Sequence, residues 1–149
     1  MPKRKKALIG TTDFIDLPEF DLINAACKID TGAQTSTLNC SDVHLHEHNG
    51  QEVLSIKLYA PKFGITTQKQ YSFSEFRQRK VRSSNGLMEI RYSIKTPVVI
   101  FNKTVNTEFT LSFRDKMKFP ILLGKRFLKN RFVVDVALKN LNQNFKTQA

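Results

Sequence analysis

Lys28-Ile29-Asp30-Thr31-Gly32-Ala33-Gln34-Thr35-Ser36 is the stretch on which the reading of this chain turns. It follows a short apolar run from Ile23 to Ile29, broken only by Asn24 and Lys28, so it reads as a strand running into a tight, hydroxyl-rich loop. Asp30 stands at the junction. A carboxylate that activates water must be held rigidly, and Gly32 lets the backbone turn close beside it. The hydroxyls of Thr31, Thr35 and Ser36 can bond neighbouring backbone or carboxylate oxygens and fix the loop, with Ala33 as its small member. Asp-Thr-Gly alone is a weak signal; its setting between strand and hydroxyls makes it strong.

A second element lies about ninety residues on, Phe119-Pro120-Ile121-Leu122-Leu123-Gly124-Lys125-Arg126-Phe127-Leu128. In aspartic peptidases an apolar-apolar-Gly strand end packs beside the Asp-Thr-Gly loop and a short helix follows it. Leu122-Leu123-Gly124 fits that element, and Lys125 to Lys129 is the predicted helix. The two elements in this order and spacing are far more specific than either alone.

Between and around them the pattern is one of short strands. Leu54 to Tyr59 and Phe109 to Phe113 alternate with period two, and Pro97 to Phe101 is a compact β-branched run before a turn at Asn102-Lys103. Asn49-Gly50 is a hairpin turn pair. Ser83 to Gly86 forms a second turn, before a strand over Met88 to Ile94. The expectation is a single all-β domain over residues 8–141, preceded by a basic disordered leader (1–7) and followed by a polar tail (142–149).

The 149 residues suffice for one core, with 40% hydrophobic and 25% charged residues. No apolar stretch is long enough to span a bilayer, and Ala7-Leu8-Ile9 is too short for a secretory signal, so a cytoplasmic protein without membrane association is expected. Cys27 and Cys40 form no CxxC pair and read as reduced, buried side chains. The net charge of +11 is uneven. Residues 7–61 carry two basic and eight acidic side chains, whereas residues 62–95 carry eight and two, and residues 114–131 seven and one. Such blocks attract anions without specifying which.

The wider pattern resembles the small retropepsin-like family that accompanies RimK-type glutamate ligases, long labelled ATP-dependent zinc proteases. The matching residues are Ile9-Gly10, Asp13, Leu17-Pro18, Ala26 and Lys28 to Leu38, then Arg79-Lys80-Val81-Arg82-Ser83-Ser84-Asn85-Gly86, Glu89, Arg91-Tyr92, Ile94 and Thr96. Leu111, Arg114, Met117, Pro120, Leu122-Leu123-Gly124 and Val134-Asp135 complete them. Departures fall at Lys125, where the family usually has Arg, and at Cys27, an apparent extra residue. The resemblance implies a retropepsin-like closed barrel (the acid-protease fold) with one short C-terminal helix. It also implies a homodimer, and cleavage of glutamate-rich tails such as those added to a ribosomal protein, with a RimK-type ATP-grasp ligase as a further partner.

The family's old label finds no support in the residues. There is no His-Glu-x-x-His motif, and Gly124-Lys125 lacks the earlier Gly (Phe119 stands there) and the following Ser or Thr of a phosphate-binding loop. His44, His46 and His48 alternate, so a strand would put all three on one face, but they lie outside the family blocks and read as a polar face. No metal and no cofactor are expected.

Aspartic peptidases need two carboxylates about 3 Å apart sharing one proton, one acting as base toward water and the other as acid toward the carbonyl. Asp30 is the single Asp here followed by Thr-Gly or Ser-Gly. The second carboxylate must come from another copy, which demands a twofold dimer. Arg79, Lys80, Arg82, Arg91, Arg114 and Arg126 flank the motifs and form the expected rim for an acidic peptide, since a guanidinium fork binds carboxylates bidentately. The loop Ser83 to Gly86 is a candidate flap. Competing readings are a non-catalytic ribosome- or RNA-binding module and a structural dimer. No RNA-stacking motif is visible, so nucleic acid is not the expected partner.

Overall fold

A computed structural model describes residues 5–82, 85–113 and 119–148. Arg114, Met117, the leader residues 1–4 and the flap candidates Ser83 and Ser84 lie outside that set, and Arg82 is described through its backbone alone.

The chain runs β1 (Ala7–Ile9), β2 (Thr12–Leu17), β3 (Leu22–Ile29), β4 (Ser36–Asn39), β5 (Asp42–His48), β6 (Gln51–Lys57) and β7 (Tyr71–Phe73). It continues through β8 (Arg77–Arg82), β9 (Met88–Ile100), β10 (Lys103–Ser112), β11 (Ile121–Leu123), α1 (Lys125–Leu128), β12 (Phe132–Val134) and α2 (Leu141–Thr147). Six strands, in the order β10-β4-β11-β3-β2-β9, close on themselves because β9 also pairs with β10. The expected closed barrel is therefore present, and α1 is the expected short helix. Closure removes the free edges that an open sheet would expose.

The two-fold alternation at Phe109 and Leu111 puts both inside the barrel. They join Ile15, Leu38, Ile94 and Leu123 in one continuous core, each contributing about 1.5–3 kcal/mol by its removal from water. Leu54 to Ile56 departs from alternation, with three successive buried residues. Ser55 can be buried because its hydroxyl bonds to His46 and Ser72. The separate sheet β5-β6-β7 is held to the barrel through Phe20, whose ring lies 5.1 Å from Tyr71 and 5.4 Å from Phe73.

Met88 to Ile94 and Pro97 to Phe101 prove to be one thirteen-residue strand. Pro97 interrupts nothing on one edge, because β8 leaves β9 at Ser93 and β2 meets it only at Val99. The turn after it sits one residue earlier than expected, with Phe101 and Asn102 both at positive φ, the two-residue geometry that suits the twist of a hairpin. Asn49-Gly50 forms the same kind of turn between β5 and β6.

The stretch expected to be a polar tail contains a second helix. Residues 141–147 form α2, and Asn142 is buried. The buried carboxylate of Asp13 on β2 accepts the backbone N–H of Asn142 at 2.8 Å and of Gln143 at 3.1 Å. These are orphan donors of a helix start, and a carboxylate there also complements the helix dipole. Asn142 in turn accepts the Phe101 N–H at 2.7 Å, and Phe145 packs edge-on against Phe101. Asn142 thereby stabilises a phenylalanine in a backbone region that it rarely visits.

Candidate active site

β3 delivers Asp30 to the end of the barrel. Ala25, Ala26 and Cys27 are buried in succession, and β3 pairs with β2 on one edge and with β11 on the other. Leu123 pairs in parallel with Ile29, and its carbonyl accepts the Asp30 N–H at 2.8 Å. Beyond Asp30 the chain turns tightly: the Ala33 N–H donates to the Asp30 carbonyl at 3.2 Å, and the Gly32 N–H donates to the Asp30 carboxylate at 3.0 Å. A side chain on Gly32 would start only 3.3 Å from that carboxylate oxygen, so the glycine leaves the acid uncrowded.

The loop is fastened to Leu122-Leu123-Gly124 and α1 at four points. Lys125 and Arg126, whose N–H groups open the helix and have no partner within it, donate to the carbonyls of Ala33 at 2.8 Å and Gln34 at 3.1 Å. Gly124 donates its N–H to the Ser36 hydroxyl at 3.0 Å. The fourth point is the Asp30–Leu123 bond. A Cβ at position 124 would lie 2.8 Å from the Thr35 carbonyl carbon and 2.9 Å from the Ala33 oxygen. Gly124 is thus required by the close approach of two backbones, and its own φ of −96° is ordinary.

Of the three hydroxyls, Ser36 is the buried one and clamps the loop; Thr35 is half-buried and Thr31 faces solvent. Asp30 itself is half-buried at the surface. Lys125 meets the loop through its backbone, so the departure from the family's usual Arg leaves the fastening intact. Cys27 pairs in register with Ile121 and Asp13. The irregularity in β3 lies upstream, where Ile23 and Asn24 oppose the single Asp16.

Support reaches Asp30 from the other side as well. The Ile29 N–H donates to the Thr11 carbonyl, and Thr11 donates to the Leu138 carbonyl, both at 2.9 Å. Leu138 passes so close that a Cβ on Gly10 would overlap its carbonyl, which accounts for Ile9-Gly10.

The cationic residues divide into groups. Arg79 and Arg91 are directly opposite one another on β8 and β9, with Lys80 exposed beside them. Like charges in that position repel unless an anion lies between or near them, and Glu89 reaches Arg91 at 3.7 Å. Arg126 is elsewhere, 3.6 Å from Glu108, a carboxylate that also lies 3.7 Å from Arg77. Neither Arg77 nor Glu108 stands out in the sequence; Glu108 alternates with the buried Thr107 and Phe109 and so lies on the face of β10 away from the core. The β8–β9 hairpin carries exposed Leu87, Met88 and Ile90 at its tip.

His44, His46 and His48 share β5, but His44 is bonded to Asp42 and Gln70 and His46 to Ser55. Among the described residues no group of three or more His, Cys, Asp or Glu is arranged to hold a metal ion. Nor is any helix among them long and apolar enough to cross a membrane. Cys27 and Cys40 are both free and buried. Burial raises both thiols, Cys40 to about 12, with the neighbouring Asp13 charge adding to the rise at Cys27.

Comparison with known proteins agrees with the fold. The family described as RimB-like, retropepsin-like aspartic endopeptidase RimB, matches residues 8–144. A protein named probable alpha-L-glutamate ligase from Desulfotalea psychrophila is 28% identical over 134 residues, 90% of this chain. Another of that name from Parasynechococcus marenigrum is 26% identical over 131 residues, 88% of the chain. The chain spans only 29% and 28% of those relatives. A solved Legionella pneumophila structure of unknown function superposes with a TM-score of 0.71 at 23% identity, covering 93% of this chain and 99% of that one.

Proposed function

Because the chain belongs to the RimB-like family of retropepsin-like aspartic endopeptidases, we propose that it is a homodimeric peptidase whose two Asp30 carboxylates activate one water between them. The observation that carries this reading is the Asp30 loop itself. It presents a carboxylate at the surface of a rigid barrel end, fixed through its own N–H to Leu123 and its side chain to Gly32. Rigid placement lets a carboxylate act on water without first having to be ordered. One Asp30 removes a proton from the water as it attacks the peptide carbonyl, while the other, protonated, donates to the carbonyl oxygen. A single chain holds one such loop, so the second must come from another copy.

The substrate we infer is a glutamate-rich peptide tail, with a glutamate ligase as the enzyme that makes it. Support comes from the cations Arg79, Lys80 and Arg91 on β8 and β9, from Arg126 on α1, and from relatives named as probable glutamate ligases. Arg82 and Arg114 belong to the same proposed rim by sequence position, and the loop Ser83 to Gly86 is its proposed flap. Thr31, Gly32, Ala33, Thr35, Ser36 and Leu122 to Gly124 act by holding Asp30 in place.

The test is cleavage of a protein ending in an oligoglutamate tail, followed by mass spectrometry, with wild type and Asp30→Asn compared. Wild type shortens the tail and the variant leaves it intact. Equal products from both, or an intact tail with both, refute the proposal.

A further inference from the structure

Glu108 is the only carboxylate in the described part of β10, and barrel closure surrounds it with cations from three elements. Arg77 on β8 stands 3.7 Å away and Arg126 on α1 3.6 Å away. Lys95 on β9 is its cross-strand partner, and the Ser93 hydroxyl donates to it at 3.4 Å. The place is close to the catalytic loop. Phe109, the next residue, pairs with Ser36 at the end of that loop, and Arg126 donates its backbone N–H to Gln34 within it.

Two features distinguish this cluster from a structural ion pair. A guanidinium that fully satisfies a carboxylate approaches to about 2.7–2.9 Å, often through two parallel bonds; both arginines here stand off well beyond that. Each also remains more than half exposed, at 59% for Arg77 and 54% for Arg126, while the Glu108 side chain is only 15% exposed. Five N–H donors per guanidinium exceed what one carboxylate can accept. Room is present on both sides: a cavity of about 370 Å³ lies against Arg77, Ser93, Lys95 and Glu108, and one of about 180 Å³ against Lys95, Glu108 and Arg126.

We propose that Arg77 and Arg126 form a subsite for a side-chain carboxylate of an acidic peptide, and that Glu108 is the resting counter-ion of that subsite. The proposal rests on the peptidase reading for its substrate class and adds the residues that select it. Glu108 keeps two arginines from repelling each other when the subsite is empty. A peptide carboxylate then takes the outward N–H groups and relieves Glu108 of part of its role. Glutamine, isosteric but neutral, gains nothing there.

Calorimetric titration of the Asp30→Asn protein, which holds peptide without cutting it, tests this with hexaglutamate and hexaglutamine peptides. Added Arg77→Gln and Arg126→Gln substitutions each weaken hexaglutamate binding about fivefold, the scale of one partly exposed ion pair, and Glu108→Gln tightens it by about as much. Hexaglutamine binding does not respond. The proposal is overturned by hexaglutamate affinity within about twofold of the parent in Arg77→Gln or Arg126→Gln, by unchanged or weaker binding in Glu108→Gln, or by no binding at all. If Glu108→Gln does not fold, the two arginine variants decide. Tail cleavage is measured separately on the Asp30 protein. Absent cleavage with the binding pattern intact removes the peptidase reading and leaves the subsite standing.

Discussion

Two glycines show how differently one residue type can be required. At Gly124 an added methyl meets the backbones of Ala33 and Thr35 at 2.8–2.9 Å, where nothing flexible can yield. Gly124→Ala therefore forces α1 and the Asp30 loop apart, with a loss of about 1–3 kcal/mol in thermal or urea unfolding and a fall in tail cleavage. Gly50 is open on all sides but sits at φ +77°. Gly50→Ala loses about 1 kcal/mol through backbone strain alone, and cleavage is unaltered. Ser36→Ala removes the acceptor for the buried Gly124 N–H and costs about 1–3 kcal/mol. The cysteines give a prediction in pH. An unfolded thiol loses its proton near 9.0, whereas the folded chain holds that of Cys40 until about 12. The folded state binds more protons in that window, so stability declines as pH rises through it. Urea midpoints measured between pH 8 and 10.5 fall in wild type and fall less in Cys40→Ala, each taken relative to its own value at pH 8.

Helix α2 was hidden in the sequence for a physical reason. Leu141-Asn142-Gln143-Asn144-Phe145-Lys146-Thr147 has no apolar stripe of the kind that marks a helix, and its first residues carry no capping side chain of their own. The cap is Asp13, 129 residues earlier in the chain than the Asn142 N–H it receives. Lys146 adds a second anchor, reaching Asp16 at 2.9 Å and Asn24 at 2.6 Å. Asp13→Ala leaves the buried Asn142 N–H and the half-buried Gln143 N–H without an acceptor. It is expected to lose about 2 kcal/mol of stability and to raise amide hydrogen exchange at Asn142 and Gln143. Strand β3 and the Leu122-Leu123-Gly124 element are the contrasting case. Their pairing depends on backbone spacing that only certain residues permit, so their residue types announced it.

Assembly carries the remaining prediction, because the proposed chemistry belongs to two copies. Random exchange of wild type with an equal amount of Asp30→Asn protein leaves roughly a quarter of the dimers with two carboxylates. Tail cleavage per total protein then falls to about a quarter of that of the undiluted wild type, rather than to half. A fall only to half, the result for independently active monomers, refutes the shared site. Sedimentation of the same mixtures reports whether dimers form at the concentrations assayed. The mixing experiment leaves the Arg77–Glu108–Arg126 subsite untouched, since all three residues come from one chain.

Asp30, its loop and the matching Leu122-Leu123-Gly124 were legible before any coordinates, as was the closed all-β architecture. Each follows from residues that a local backbone geometry demands: a glycine where two chains touch, a hydroxyl where an N–H needs an acceptor, alternation where one strand face is buried. The long β9 strand, the capped helix at the end of the chain and the convergence of Arg77 and Arg126 on Glu108 were decided in three dimensions. Their partners are 129 residues apart for Asp13 and Asn142 and 31 for Arg77 and Glu108. Only closure of the barrel determines which side chains such distant segments present to one another.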